Sequence, residues 1–130
     1  MNRAGKYWAE GFLGTYIAFF SPGEGVFVPK IKDGSDASGP SSGTSFATAF
    51  VAGTAALWLA HHGHDKLISI ARENGEHLQD LFCKAVEMSV QKPYGWDERL
   101  GVTWGKIGMG TGIVDAQALL KVRLKDVPLG

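Results

Sequence analysis

Cysteine is almost missing from these 130 residues: Cys83 is the single one, so no disulfide can close within the chain and no cysteine-based zinc or iron–sulfur cluster can be built from it. It lies in Leu81-Phe82-Cys83-Lys84-Ala85-Val86, a helical pattern in which a small buried thiol is the expected role. An excess of either charge is missing too. Thirteen Lys plus Arg balance thirteen Asp plus Glu, which leaves no basic footprint for nucleic acid or an anionic membrane. No long hydrophobic run is present: a bilayer needs about 20 apolar residues, so no transmembrane segment is expected. Met1 to Lys6 lacks the apolar core of a secretory signal, and export is not expected from this sequence. Histidine is absent before position 61, where His61, His62, His64 and His77 begin to appear. What remains is ordinary globular composition, 45% hydrophobic and 20% charged, which excludes disorder, collagen and low-complexity sequence and allows one domain at most.

Tyr16-Ile17-Ala18-Phe19-Phe20 is a short, wholly apolar run ended by Ser21-Pro22-Gly23, the pattern of a buried strand in a parallel sheet, and a second short strand is expected over Gly25 to Pro29. Lys30 to Gly43 is Gly, Ser, Asp and Pro without periodicity and predicts an exposed loop. From Phe46 to Ala60 nearly every residue is apolar or small, which predicts a helix enclosed by protein rather than a bilayer span, since Thr48, Gly53 and Thr54 interrupt it. Asp65 is expected to cap a short helix, Lys66 to Asn74, that stops at Gly75. A longer amphipathic helix follows, with Leu78, Leu81, Phe82, Ala85, Val86 and Met88 on one face and Pro93 as its end. Tyr94 to Gly112 reads as loop, before a last helix that Ile113-Val114-Asp115-Ala116 opens with Asp115 near its start.

The most specific segment is Gly43-Thr44-Ser45-Phe46-Ala47-Thr48-Ala49-Phe50-Val51-Ala52-Gly53. Gly43 permits a tight turn and a close substrate approach, while Ser45 lies where loop becomes helix, among unpaired N–H groups that can stabilise an oxyanion. Ala47, Ala52 and Gly53 let the helix pass close to its neighbours and hold the serine rigidly. Serine is also a preferred N-cap, which is the plainer role open to Ser45. The segment resembles the nucleophile segment of the subtilisin-like serine peptidases, the subtilases, whose pattern is Gly-Thr-Ser-x-Ala, then proline, then Val-Ala-Gly. Those four specified residues would arise by accident on the order of once in a thousand chains of this length. Ala49 stands where the family usually has proline, which removes some preorganisation from the first turn but not the nucleophile.

Two more segments follow the same family order. Ser21-Pro22-Gly23-Glu24-Gly25-Val26 resembles the Ala-Pro-Gly turn ahead of the nucleophile, with serine for alanine. Gly110-Thr111-Gly112-Ile113-Val114-Asp115-Ala116 resembles the Gly-x-Gly-x-Val-(Asn/Asp)-Ala start of the last helix. As a phosphate loop that cluster has the wrong spacing and no clear preceding strand, so nucleotide binding is not expected.

A subtilase triad runs Asp, His, Ser, so both partners of the nucleophile precede it. Here every histidine follows Ser45, and Asp33 and Asp36, which precede it, lie in the polar loop as solvated residues. His61 is sixteen residues along the same expected helix, about 24 Å away at 1.5 Å per residue. His77 belongs at a helix start, and His61-His62-x-His64 lacks the carboxylate or cysteine of a metal site, so these are expected as surface histidines and no metal is assigned. The family's second oxyanion donor is an upstream asparagine; Asn2 matches no such context. In subtilisin the loss of one such donor costs about 10²–10³ in turnover.

The resemblance, which runs from about Gly14 to Leu120, therefore implies an α/β fold: the C-terminal portion of a subtilisin-like doubly wound parallel-sheet domain, helix-rich, with residues 1–130 as a single partial domain. It implies a serine endopeptidase that forms an acyl-enzyme at Ser45, with Gly43 and Thr44 shaping the adjacent cleft, and a chain that is inactive alone because triad Asp and His are lacking. It implies no cofactor, a peptide or protein substrate, the N-terminal part of the catalytic domain as partner, and an exported parent enzyme. The competing reading is a non-catalytic interaction module or inactive remnant derived from a subtilase, because a helix apolar on all sides seeks a cover.

Overall fold

The structure, a computed structural model, describes residues 18–92 and 110–129. In chain order it contains β1 (Val26–Lys32), β2 (Ser35–Ser41), α1 (Thr44–His62), α2 (His64–Glu73), α3 (Leu78–Glu87), α4 (Ala116–Leu120) and a 3₁₀ turn at Leu124–Asp126.

β1 and β2 form a two-stranded antiparallel sheet with Val26 opposite Ser41 and Lys32 opposite Ser35. The turn between them is Asp33-Gly34, with φ of 51° and 75°. A two-residue hairpin turn of the primed type needs positive φ at both positions, which Asp tolerates and Gly takes freely. This corrects the expected loop over Lys30 to Gly43. β2 reads Ser-Asp-Ala-Ser-Gly-Pro-Ser, with hardly a β-former in it, and pairs because the turn returns its backbone to β1. Pro29 and Pro40 fit because both strands of such a ribbon are edges.

The doubly wound parallel sheet is also corrected. Among the described residues the sheet is the antiparallel hairpin, and parallel pairing is confined to an isolated bridge between Phe20 and Ile113. A parallel sheet needs several successive apolar strands joined by crossovers, whereas the described chain offers one such run, Ala18 to Phe20. That run is not fully buried: Ala18 is exposed and Phe19 and Phe20 are half-buried, while Tyr16 and Ile17 lie outside the described residues.

The helices follow the local signals closely. α2 begins two residues earlier than expected, at His64, so that its cap is Gly63 and Asp65, the expected cap, lies in its first turn. α3 ends at Glu87, ahead of Pro93, which lies outside the described residues together with the expected loop from Tyr94 as far as residue 109. α4 starts at Ala116, and the Asp115 side chain accepts from the Ala118 N–H at 2.9 Å. Ile113 and Val114 stay extended. The core is Trp58, Leu67, Ala71, Leu81, Ala85, Val86, Leu119 and Val127, with the Trp58 ring edge-on to Phe82 at 5.4 Å.

α1 was expected to be enclosed on every side. Its buried residues are Thr54 and Trp58, one turn apart, while Phe50 and Leu57 are 47% and 56% exposed. α2, α3 and α4 line one stripe of the helix, and three short elements cannot encircle a cylinder that is apolar all round. No helix among the described residues is long and apolar enough to cross a membrane.

Candidate functional site

Gly43 is the N-cap of α1, which places Thr44 and Ser45 at the first two helical positions. Ser45 is therefore not the cap, and its exposed hydroxyl stands over a first turn in which the Phe46 N–H already donates to the Gly43 carbonyl at 3.2 Å, while the Thr44 and Ser45 N–H groups point ahead of the helix. The Thr44 carbonyl accepts the Thr48 hydroxyl at 3.1 Å, which stiffens the same turn. No acidic residue occupies that turn, so the positive end of the helix dipole is not compensated locally.

The three motif-bearing segments are linked through their neighbours, and the Ser-Pro-Gly turn is the one that meets the start of α1. Gly43 N–H donates to the Gly23 carbonyl at 2.8 Å, and Gly25 N–H donates to Ser42 Oγ at 3.0 Å. A Cβ on Gly23 would stand 2.8 Å from the Gly43 carbonyl oxygen and 3.2 Å from Ala47 Cβ, so the Ser-Pro-Gly turn lies directly on α1. The third segment pairs with the run that leads into that turn. Thr111 N–H donates to Ala18 O, Phe20 N–H to Gly112 O and Val114 N–H to Phe20 O, each at 2.8 Å. Gly110 has φ of 66°, and a Cβ there would fall 2.6 Å from the Ala18 carbonyl oxygen, so only glycine fits this crossing. Gln91 closes the cluster by exchanging two backbone hydrogen bonds with Ile113 and donating its side-chain N–H to Asp115 Oδ2 at 2.5 Å.

The titratable groups stand elsewhere. His61 and His62 occupy the last turn of α1, and helix rise alone separates His61 from Ser45 by about 24 Å. His64 begins α2, its Nδ1 3.6 Å from Asp65 Oδ1 with both side chains exposed, and His77 caps α3 through its N–H to Asp80 Oδ2 at 3.2 Å. Asp33 holds the hairpin turn, and Asp36 projects from β2, exposed. Asn2 lies outside the described residues. Among the described residues no three His, Cys, Asp or Glu side chains stand together as a metal site. A cavity of about 680 Å³ opens at the opposite end of α1, between His62, Lys66, Ile70, Leu124 and Val127, remote from Ser45.

Three described groups are perturbed by their surroundings, the first being Asp115, whose carboxyl the Ala118 N–H holds below its ordinary range. Burial, then the charges of His61 and Lys66, lowers the His62 pKa, and its Nε2 is enclosed without a hydrogen-bond partner. Burial, then Glu87 and Asp80, pushes the Cys83 thiol up, which suits an inert half-buried cysteine. The residue that reading the sequence missed is Ser42: nothing in Ser41-Ser42-Gly43 distinguishes the serine whose oxygen reaches Gly25 from its neighbour.

Compared with known proteins, the chain matches no family model, and no curated protein matches it.

Proposed function

We propose that this chain carries the nucleophile-bearing part of a subtilisin-like serine endopeptidase, with Ser45 as the residue that attacks the peptide carbonyl. The observation that carries the reading is that the Ser-Pro-Gly turn sits on the start of α1, through Gly43 to Gly23, while the run leading into that turn pairs with the third family-like segment, through Phe20 to Gly112. The attack forms a bond from Ser45 Oγ to the carbonyl carbon as the carbonyl π pair moves to oxygen, and that negative oxygen then accepts from the Ser45 N–H. A general base must take the hydroxyl proton. His61 and His62 lie at the far end of α1 and His64 beyond it at the start of α2, none within reach of Ser45, so the chain by itself is expected to be inactive.

The test is labelling by a fluorophosphonate, for the chain alone and for the chain mixed with a polypeptide that supplies the Asp and His segments of a subtilase catalytic domain. Labelling that appears in the mixture and disappears with Ser45→Ala supports the reading. Labelling that survives Ser45→Ala, or none in a mixture shown to form a complex, removes it. A second reading, a non-catalytic interaction module, is favoured by the exposed Phe50 and Leu57 on α1 and by Phe27 and Ile31 on β1.

A further inference from the structure

We infer that Ser42 is a positioning residue for Ser45: its side-chain oxygen ties the Ser21 to Gly25 turn to the start of α1 and so sets where the Ser45 hydroxyl stands. The consequence for catalysis rests on the nucleophile reading above, whereas the geometry does not.

A helix start is usually held by a side chain at the N-cap. α1 lacks this, because its cap is Gly43 and no side chain bonds the first turn. Its place is taken by two reciprocal bonds to a neighbouring turn, one donated in each direction: Gly43 N–H to Gly23 O and Gly25 N–H to Ser42 Oγ. The receiving turn is itself anchored. Ser21 and Gly23 are buried, and Phe20 just before them is bonded to Gly112 and Val114. The close fit of Gly23 against Gly43 and Ala47 leaves little room for α1 to shift without breaking those bonds. Ser45 Oγ is also near: a Cβ on Gly43 would stand 3.3 Å from it, so movement of the cap reaches the hydroxyl directly. A misplacement of about 1 Å at a reacting group is enough to cost about 10²-fold in rate.

Of the two bonds, Gly43 N–H belongs to the main chain, and Ser42 Oγ is the one a substitution can remove. The experiment is backbone ¹⁵N relaxation on the 130-residue chain, as wild type, Ser42→Ala and Ser42→Thr. With wild type, amides of Thr44 to Phe46 should show order parameters near 0.85, the rigid-backbone value, falling below about 0.6 in Ser42→Ala. Thr54 to Leu59 and the thermal midpoint should not change, and Ser42→Thr, which keeps the hydroxyl, should restore the wild-type values. Unchanged order at Thr44 to Phe46, loss of order along all of α1, or failure of Ser42→Thr to rescue would overturn the inference. If Ser42→Ala does not fold, the Gly25 amide of the wild type carries the test. Its hydrogen exchange should be slowed at least about tenfold by the bond to Ser42, and exchange at the unprotected rate overturns the proposal. Neither measurement uses the reactivity of Ser45, so its failure is distinguishable from failure of the peptidase reading.

Discussion

Ser45 occupies the second position of α1, and this removes the N-cap role that its sequence position also allowed. The N-cap is Gly43, so the serine hydroxyl is not consumed in closing the helix. At the other end of the same helix, His62 shows the opposite situation, a polar ring atom enclosed without a partner. Its pKa is lowered from 6.5, chiefly by burial. A group held below its unfolded pKa binds its proton more readily in the unfolded chain, so it contributes stability above pH 6.5 that is lost as pH falls through the folded value. The thermal midpoint is therefore expected to decline as pH drops below about 6.5, and to decline less in His62→Phe. Equal slopes for the two proteins would rule out this role for His62.

Among the elements, α4 depends most plainly on one side chain. With only five residues it gains little from its own hydrogen bonds, and Asp115 caps it while also receiving the Gln91 side chain. The bond from the Ala118 N–H, then those from Gln91 and the Gln117 N–H, outweigh desolvation and hold the Asp115 carboxyl below its ordinary range. Here the sign differs from the histidine only in the window: stability is present above the unfolded carboxyl value of about 4 and is lost in more acidic solution. Asp115→Ala should cost about 1 kcal/mol in urea unfolding at pH 7, the usual worth of an N-cap. Asp115→Asn should retain most of it and remove the acid dependence; a loss as large as that of alanine would show that the charge, not the cap, matters. Asp115 was readable as a helix start because capping is local chemistry. β2 was not, because its serine-rich backbone is paired by the Asp33-Gly34 turn rather than selected by its side chains.

At the scale of the whole molecule, the described core gathers on one stripe of α1 and leaves other apolar side chains uncovered. Phe50, Leu57 and Met88 are each about half exposed, and Phe27 and Ile31 more so. An apolar surface of this kind seeks a cover, whether the rest of a catalytic domain or another protein. The purified chain is expected to bind a hydrophobic dye and to self-associate, and Phe50→Ser with Leu57→Ser to reduce both effects. A monodisperse monomer that leaves the dye unbound would contradict this and would leave the interaction-module reading without its support.

The sequence by itself determined the helices and the three motif segments, because each depends on residues within a few positions of one another, as with Asp115 before α4 and the apolar run of α1, whereas the cap of α2 is Gly63 and not the expected Asp65. Only the tertiary structure decided which face of α1 is covered, that Ser35 to Ser41 is a strand, and that the described sheet is antiparallel. It also decided which distant segments are bonded together. The Thr111 side chain reaches the Ala18 carbonyl across a separation of 93 residues, and Ser42 reaches Gly25 across 17. Such contacts depend on loop closure and on what burial leaves unpaired, and no short-range pattern of residues encodes either.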